Sequence, residues 1–183
     1  GMLIPSDTMP MTQNQGTIGF ELSFSHPREG VGMELVEPEK FAMVVAGQET
    51  DLKSTLAAAT IMDFPSWNTD YQIQKPGVYQ FYMEPKPYWE PAEDCFIIHY
   101  TKTYVAAFGD DEGWGAPVGL ATEIIPLTRP FGLYAGNAFV GQVLVEGKPA
   151  AFSEVEVEFY DQKGSNAPAN DYFTTQVVKA DQN

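Results

Sequence analysis

The sequence predicts an all-β protein made of antiparallel β-sandwich modules. Three observations lead to this fold class. Short segments alternate apolar and polar residues, glycine and proline turns separate them at short intervals, and almost no helical pattern lies between them. A parallel sheet would need long crossover connections, so we expect the strands to pair antiparallel.

The N-terminal half contains three strand signals in order. Residues 17–25 alternate apolar and polar side chains, which is typical of a half-buried strand. Residues 41–46 form a short apolar run followed by a turn, and this pattern predicts a hairpin. Residues 71–83 contain the turn Lys75-Pro76-Gly77, in which proline presets φ and glycine supplies a positive φ. Residues 71–83 therefore predict a second hairpin.

The middle of the chain contains one helix-tolerant segment, 52–62, which predicts a few helical turns at most. Residues 95–108 predict the longest strand, which is apolar at both ends and therefore central. A Gly-rich acidic loop at 109–115 interrupts the strands, and a short strand follows at 122–125.

Pro126 and Pro130 are spaced like a stiff connector, so we place a domain boundary there. Residues 1–128 are expected to form an N-terminal β-sandwich, and residues 129–183 a C-terminal β domain. The latter contributes strand signals at 138–145, 154–160 and 172–178, which are about half of a sandwich. The last residues read as the opening of a turn, so this domain is expected to be truncated.

Composition excludes several classes of function. The formal charge of −15 disfavours nucleic acid, because phosphate contacts need clustered cations, and it disfavours an anionic membrane surface equally. Hydrophobic residues make up 44% of the chain, which is enough for a packed core. No apolar run reaches the roughly 18 residues of a spanning helix, so we expect no direct membrane insertion. Gly1 before Met2 reads as a tag scar, with any signal peptide already removed.

The common catalytic and cofactor motifs are missing, so the sequence predicts a protein that is not an enzyme. His26, His99 and Cys95 are the strongest candidate ligands for a transition metal. On an extended strand Cys95 and His99 are separated by roughly 13 Å, too far to chelate one ion together. The alternatives are that His26 is an exposed or capping residue, that His99 is a hydrogen-bonded strand histidine, and that Cys95 is a buried thiol.

A proline-rich segment at 85–94 carries adjacent aromatic residues and carboxylates on a stiffened loop. Tyr88 and Trp89 suit a carbohydrate or peptide ligand, whereas Glu93 and Asp94 suit a cation. The alternative is a long edge loop packed over the end of the sandwich.

Several motifs in order resemble one bacterial family. They are Pro76-Gly77-Val78-Tyr79, Ile98-His99-Tyr100-Thr101-Lys102, the segment 119–127 with the pattern Leu-x-x-Glu-Ile-Ile-Pro-Leu, and Leu144-Val145-Glu146-Gly147-Lys148-Pro149. The sequence resembles secreted proteins known as periplasmic components of ABC-type cobalt transport systems, which are related to nickel-uptake accessory domains. The Gly-Lys-Pro stretch is also shared by carboxypeptidase-regulatory-like and immunoglobulin-like sandwiches, so we expect two modules of this kind, with residues 129–183 as a truncated immunoglobulin-like domain.

This resemblance implies a periplasmic metal-uptake accessory or metal-binding protein for Ni²⁺ or Co²⁺, with a membrane permease of an ABC-type or related uptake system as partner. The ligands it implies are His26 and His99, joined by Glu93 or Asp94. Such proteins usually begin their mature chain with histidines near the N-terminus, and this sequence does not. The alternative function is a periplasmic or surface interaction module that binds carbohydrate or peptide through Tyr88 and Trp89, without metal.

Overall fold

The computed structural model of the chain describes residues 1–26, 31–91, 93–161 and 168–182, and for His26 and Asp171 the backbone alone. Within these residues the protein is all-β, which confirms the predicted fold class. Helical structure there consists of 3-10 turns at Gln13–Gln15, Lys53–Thr55 and Asp171–Phe173. None of these turns has the length or the apolar character that crossing a bilayer requires.

The strands fall into two groups along the chain. The N-terminal group comprises β1 (Met2–Pro5), β2 (Thr17–His26), β3 (Val31–Met33), β4 (Lys40–Val45), β5 (Gln48–Asp51), β6 (Ala57–Ile61), β7 (Phe64–Gln72), β8 (Gly77–Glu84), β9 (Tyr88–Glu90), β10 (Cys95–Ile97) and β11 (Thr101–Ala107). The C-terminal group comprises β12 (Thr122–Pro126), β13 (Gly141–Val145), β14 (Lys148–Pro149), β15 (Glu154–Glu158) and β16 (Thr175–Lys179).

Two antiparallel sheets of the N-terminal group pack face to face as a sandwich. Sheet I has the order β1-β2-β7-β6 with β3 added on β2, and sheet II has the order β11-β8-β4-β5. The alternation along β2 explains the packing, because Ile18, Phe20 and Leu22 are buried while Glu21 between them is exposed. Phe20 of sheet I packs against Phe81 of sheet II, with ring centroids 4.2 Å apart.

The chain start is fixed at one edge of this sandwich. β1 pairs with β2 in sheet I, and the residues after it cross to the edge of sheet II. There the carbonyl oxygens of Thr8 and Pro10 accept hydrogen bonds from the N–H groups of Ala106 and Phe108, at 2.9 and 2.8 Å. These bonds pair backbone groups at the edge of β11 that would otherwise face solvent, and β1 lies in contact with β11.

The turn at Lys75-Pro76-Gly77 joins the two sheets and does not close a hairpin. β7 pairs with β2 and β6 in sheet I, whereas β8 pairs with β11 and β4 in sheet II. Tyr71 and Tyr79 therefore meet in the core, with ring centroids 6.3 Å apart. The predicted hairpin is wrong, because turn residues determine where a chain reverses but not which edge the next strand joins.

Two other segments differ from the sequence prediction. The long strand expected at 95–108 is divided into β10 and β11, with residues 98–100 outside both. The helix-tolerant segment 52–62 contains one 3-10 turn and then β6, which pairs with β7. Pairing with a neighbouring strand has overridden the helix propensity of its alanines.

A segment between β11 and β12 covers the outer face of sheet II. Leu120 packs there against Ala42 and Tyr82, and all three side chains are buried. The Tyr82 hydroxyl donates a hydrogen bond to Glu49, whose carboxylate also pairs with Lys40 at 2.9 Å. Sheet II thus has a covered outer face in addition to the face that forms the sandwich core.

A buried ion pair holds this covering segment in place. The carboxylate of Glu123 pairs with the ammonium of Lys102, and the two side chains are 2% and 8% exposed. It also accepts hydrogen bonds from the backbone N–H groups of Val118 and Gly119, at 2.9 and 3.1 Å. Burial lowers the pKa of Lys102, and its contact with Glu123 offsets part of that effect.

The C-terminal strands form two small sheets. β12 pairs with β13, which also pairs with β14, and β15 pairs with β16. β12 precedes residue 128 and β13 follows it, so backbone hydrogen bonds of one sheet cross the boundary that the sequence predicts between residues 128 and 129.

Candidate functional site

His99 lies where the start of β1 meets the segment that leads into β11. The register of β1 pairs Met2 with Ser23, which places Gly1 beside Phe24 of β2. The amino group of Gly1 lies 2.8 Å from Nδ1 of His99. Burial lowers the pKa of this amino group to about 5.

Aromatic rings surround the His99 imidazole. The Phe24 ring packs edge-on against it with centroids 5.9 Å apart, and the Tyr88 ring does so at 5.4 Å. The Thr101 hydroxyl donates a hydrogen bond to the His99 carbonyl oxygen at 3.0 Å, which fixes the backbone there. His99 is half-buried, so its ring is held by packing yet stays within reach of solvent.

A shallow cavity of about 330 Å³ opens beside this imidazole. It is lined by Gly1, Ile98, His99, Tyr100, Thr101 and Thr122. Burial raises the pKa of the nearby Tyr88, and the charges of Glu90, Glu93 and Cys95 raise it further. Tyr88 therefore stays a neutral hydroxyl at physiological pH. The nitrogen donors that line the cavity with their side chain or terminus are the His99 imidazole and the Gly1 amino group.

His26 lies at the same end of the sandwich as His99. It is the last residue of β2 and its backbone pairs with Val31. Phe24, whose ring touches His99, precedes it by two residues, which is a rise of roughly 7 Å along the strand. The end of β2 that carries His26 therefore lies near His99, whereas the side chain of His26 lies outside the described part of the chain.

Glu93 and Asp94 lie at a different place from His99. They are exposed residues at the tip of the β9–β10 hairpin, where Asp94 adopts a positive φ of 53°. His99 follows the opposite end of β10, so the length of that strand separates it from the two carboxylates. Cys95 is exposed, and its Sγ lies 4.0 Å from Glu93 Oε2. Among the described side chains, no group of three or more His, Cys, Asp and Glu is arranged to hold a metal ion.

The β9–β10 hairpin separates the two aromatic residues that the sequence predicts to act together. Trp89 lies directly opposite Phe96 in the register, with ring centroids 5.2 Å apart and an edge-to-face arrangement. Their exposed fractions are 48% and 68%. Tyr88 alternates to the other face and packs on Phe24 and His99.

Phe96 is a surface aromatic residue that lies outside the binding loop predicted at 85–94. Adjacent residues on a strand point to opposite faces, so the adjacency of Tyr88 and Trp89 already indicates that the two rings cannot share one surface. Assigning the segment to a loop hid this alternation. Trp89 and Phe96 form the exposed aromatic pair of the hairpin, and we call them the aromatic pair below.

Comparison with known proteins gives one match. A family model, described as a domain of unknown function, DUF4198, matches residues 1–183. Searches of the curated proteins and of the solved structures gave no match for this chain. Because the match extends over the whole sequence, the chain belongs to the DUF4198 family.

Proposed function

We propose that this protein is a metal-binding accessory of cobalt or nickel uptake, with its site at the end of the sandwich where His99 and the end of β2 meet. One observation carries the proposal: the ring of Phe24, two residues before His26 on β2, packs against the imidazole of His99, which is distant in sequence. His99 is the anchor ligand in this proposal, and His26 is the second.

The chemistry of these donors suits the proposed metals. Neutral imidazole is a borderline ligand that binds Ni²⁺ and Co²⁺ well, and oxygen ligands can complete their coordination. A net charge of −15 raises the local concentration of cations without selecting among them. Glu93 and Asp94 remain candidate oxygen ligands only if the β9–β10 hairpin moves, since its tip lies away from His99.

The cellular context of the proposal comes from the sequence resemblance. The motifs around His99 and at 119–127 resemble periplasmic components of cobalt transport systems, and this supports a periplasmic location and a membrane permease as partner. The metal is cargo in this proposal, so the chain binds and delivers it and performs no catalysis.

Isothermal titration of Ni²⁺ and Co²⁺ into the whole chain tests the proposal. We expect saturable binding of one ion per chain, weakened at least about tenfold by His99→Ala and by His26→Ala, because each change removes one imidazole. His99→Gln is a second variant that keeps more of the packing against Phe24 and Tyr88. It should weaken binding to a similar extent.

Two control variants separate the site from general electrostatics. Asp110→Asn removes one charge from the acidic loop at 109–115, where Asp110 is half-buried, and should leave the affinity unchanged. Trp89→Ala removes half of the aromatic pair and should also have no effect on metal binding. Binding no tighter than millimolar, or binding that Asp110→Asn weakens as much as His99→Ala, would contradict the metal proposal.

The aromatic pair favours a second candidate function, an interaction module for carbohydrate or peptide. Trp89 and Phe96 present two large exposed rings on a short hairpin, and such rings stack on sugar faces or pack on apolar side chains. In this alternative the histidines have no role in binding. Titration with a series of soluble hexose oligosaccharides, followed by tryptophan fluorescence, should give a saturable change that Phe96→Ala abolishes and His99→Ala does not.

A further inference from the structure

A cavity of about 430 Å³ opens on the outer face of sheet I, the face that points away from the sandwich core. Its lining residues come from all four strands of the order β1-β2-β7-β6 and from the segments that follow β1 and precede β6. One row of side chains crosses it in the strand register, formed by Ile4, Glu21, Asn68 and Ala57. The volume of this cavity lies in the range of small-molecule sites.

Gly19 forms the floor of the cavity beside this row. It precedes Glu21 by two residues on β2, so both positions face outward, and it lies opposite Asp70 in the register. Its φ is not positive, and the pairing of β2 with β7 runs without a bulge from residue 17 to 22, so the backbone does not require a glycine here. A Cβ at this position would lie 3.1 Å from Asp70 Oδ1 and 3.9 Å from Ser6 Oγ. A glycine inside a regular strand is typical of a place that a ligand approaches closely.

Three side chains around this floor have hydrogen-bonding groups that no described residue uses. Glu21, Asn68 and Asp70 are exposed, and within the described part of the chain their side chains form neither a hydrogen bond nor an ion pair. Ser6 adds a hydroxyl whose oxygen accepts a hydrogen bond from the N–H of Gly19 at 3.0 Å, so its own proton remains available. The cavity thus combines two carboxylates, an amide and a hydroxyl.

These polar groups restrict the chemistry of an occupant. A carboxylate only accepts hydrogen bonds, and its two oxygens can accept from two neighbouring hydroxyl groups of one ligand. The Asn68 amide both donates and accepts, as a hydroxyl group does. Glu21 and Asp70 are diagonal neighbours on paired strands, which separates their Cβ atoms by roughly 7 Å. This spacing suits hydroxyl groups distributed around a ring better than the close ligand sphere of one metal ion.

The rest of the cavity favours a neutral ring. Ile4 and Ala57 stand at the two ends of the polar row and offer apolar contacts to C–H groups. The two carboxylates and the net charge of −15 disfavour an anionic ligand. A ligand with several hydroxyl groups on a carbon ring meets all of these conditions.

We propose that this cavity binds a neutral pyranose sugar, whose neighbouring hydroxyl groups donate hydrogen bonds to Glu21 and Asp70 and pair with the Asn68 amide. The missing side chain of Gly19 leaves room for the ring at the floor of the cavity. The site shares no residue with the proposed metal site or with the aromatic pair, so its test does not depend on theirs.

Titration of monosaccharides into the ¹⁵N-labelled whole chain, followed by amide chemical shifts, tests this proposal. The probes are the methyl α-glycosides of glucose, galactose and mannose, and the matched control is tetrahydropyran, which has the same ring without hydroxyl groups. We expect at least one glycoside to bind saturably with a Kd of about 10 mM or tighter, with shifts near residues 4–6, 19–21 and 68–70. Tetrahydropyran should give no saturable shift, because it cannot donate to the carboxylates.

Variants connect the binding to the cavity. Gly19→Val fills the floor and should weaken binding at least about tenfold, and the protein should stay folded because valine favours a strand and the exposed Asp70 side chain can shift. Thr17→Val is the matched control at an exposed position of the same strand and face, outside the cavity lining, and should leave the affinity unchanged. Asn68→Ala shortens an exposed side chain and should weaken binding about tenfold, and it decides the question if Gly19→Val does not fold.

Each outcome supports or overturns the proposal. Saturable binding of a glycoside that Asn68→Ala and Gly19→Val weaken and Thr17→Val does not supports it. No saturable binding of the three glycosides up to about 50 mM, or equally tight binding of tetrahydropyran, overturns it. Binding that neither cavity variant weakens also overturns it, because the sugar then lies elsewhere. D-Glucosamine is the charge control: if it binds and no neutral glycoside does, the carboxylates select positive charge and the proposal is wrong.

Discussion

The buried ion pair of Lys102 and Glu123 allows a quantitative stability prediction. Removing one partner leaves the other charge in a site from which water is nearly excluded, since the side chains are 8% and 2% exposed. In such sites the loss of one partner costs about 3–5 kcal/mol, because the remaining charge is uncompensated. The change is therefore expected to exceed that of most surface substitutions.

The remaining contacts decide where each variant falls in this range. Lys102→Met leaves the Glu123 carboxylate with two donors, the N–H groups of Val118 and Gly119, so we expect a loss of about 3 kcal/mol. Glu123→Gln leaves the ammonium facing a neutral amide and the ring of Tyr104, with Nζ 5.4 Å from the ring centroid. We expect a loss of about 4 kcal/mol for this variant.

The double variant Lys102→Met/Glu123→Gln contains neither charge. Its loss should therefore be smaller than the sum of the two single losses by about 2 kcal/mol or more. Lys40→Met is the matched control, because Lys40 and Glu49 form an ion pair whose side chains are 36% and 45% exposed. It should cost no more than about 1 kcal/mol.

Urea unfolding followed by tryptophan fluorescence measures these free energies, provided that the denaturant slope stays constant among variants. The reasoning would be refuted if Lys102→Met costs no more than Lys40→Met. The same conclusion would follow if the double variant loses the full sum of the single losses, because the two charges would then act independently.

Further predictions concern the core and the alkaline limit of stability. Phe20→Ala should lower the free energy of unfolding by about 3–5 kcal/mol, because the ring is 1% exposed between the two sheets, whereas Phe96→Ala at an exposed ring should change it by less than about 1 kcal/mol. Urea midpoints compare the two directly, and equal losses would contradict the sandwich packing. Burial, followed by hydrogen bonding to Glu49, raises the pKa of Tyr82 from 10.0 to about 12. The folded state therefore holds this proton more tightly than the unfolded chain, and the stability this provides is present below pH 10 and lost as the pH rises toward 12. Tyr82→Phe should make the fall in stability over this interval shallower, as measured by urea unfolding at a series of pH values. An unchanged slope would argue against a buried Tyr82 hydroxyl.

The sequence predicts individual strands well where alternation is strong. The pattern at 17–25 corresponds to β2 and the apolar run at 41–46 to β4, because a half-buried strand requires one apolar face. Strand pairing is harder to predict. The turn at Lys75-Pro76-Gly77 reverses the chain in the same way whether the next strand pairs with β7 or crosses to the other sheet. Packing between the two sheets, such as that of Phe20 on Phe81, distinguishes the two arrangements, and it depends on residues far apart in sequence.

The candidate sites also combine features that the local sequence predicts with contacts between distant segments that it does not predict. Sequence identifies His26 and His99 as candidate ligands by residue type, but the contact of His99 with Phe24, two residues before His26, joins segments far apart in sequence. Gly19 carries a local signal, a glycine within the alternating pattern of β2, yet the cavity above it is lined by residues from four strands. Residue type and alternation can thus be read locally, whereas the juxtaposition of distant segments cannot.

The measurement that tests the metal proposal most directly is the NMR spectrum of the histidine rings during titration with Ni²⁺ or Co²⁺. The chain has two histidines, so each imidazole is resolved and can be assigned with the His26→Ala and His99→Ala variants. We predict that the signals of both rings broaden together and that the change is complete at one ion per chain. Ring signals that persist unchanged while the metal broadens only resonances of the acidic loop at 109–115 would contradict the account.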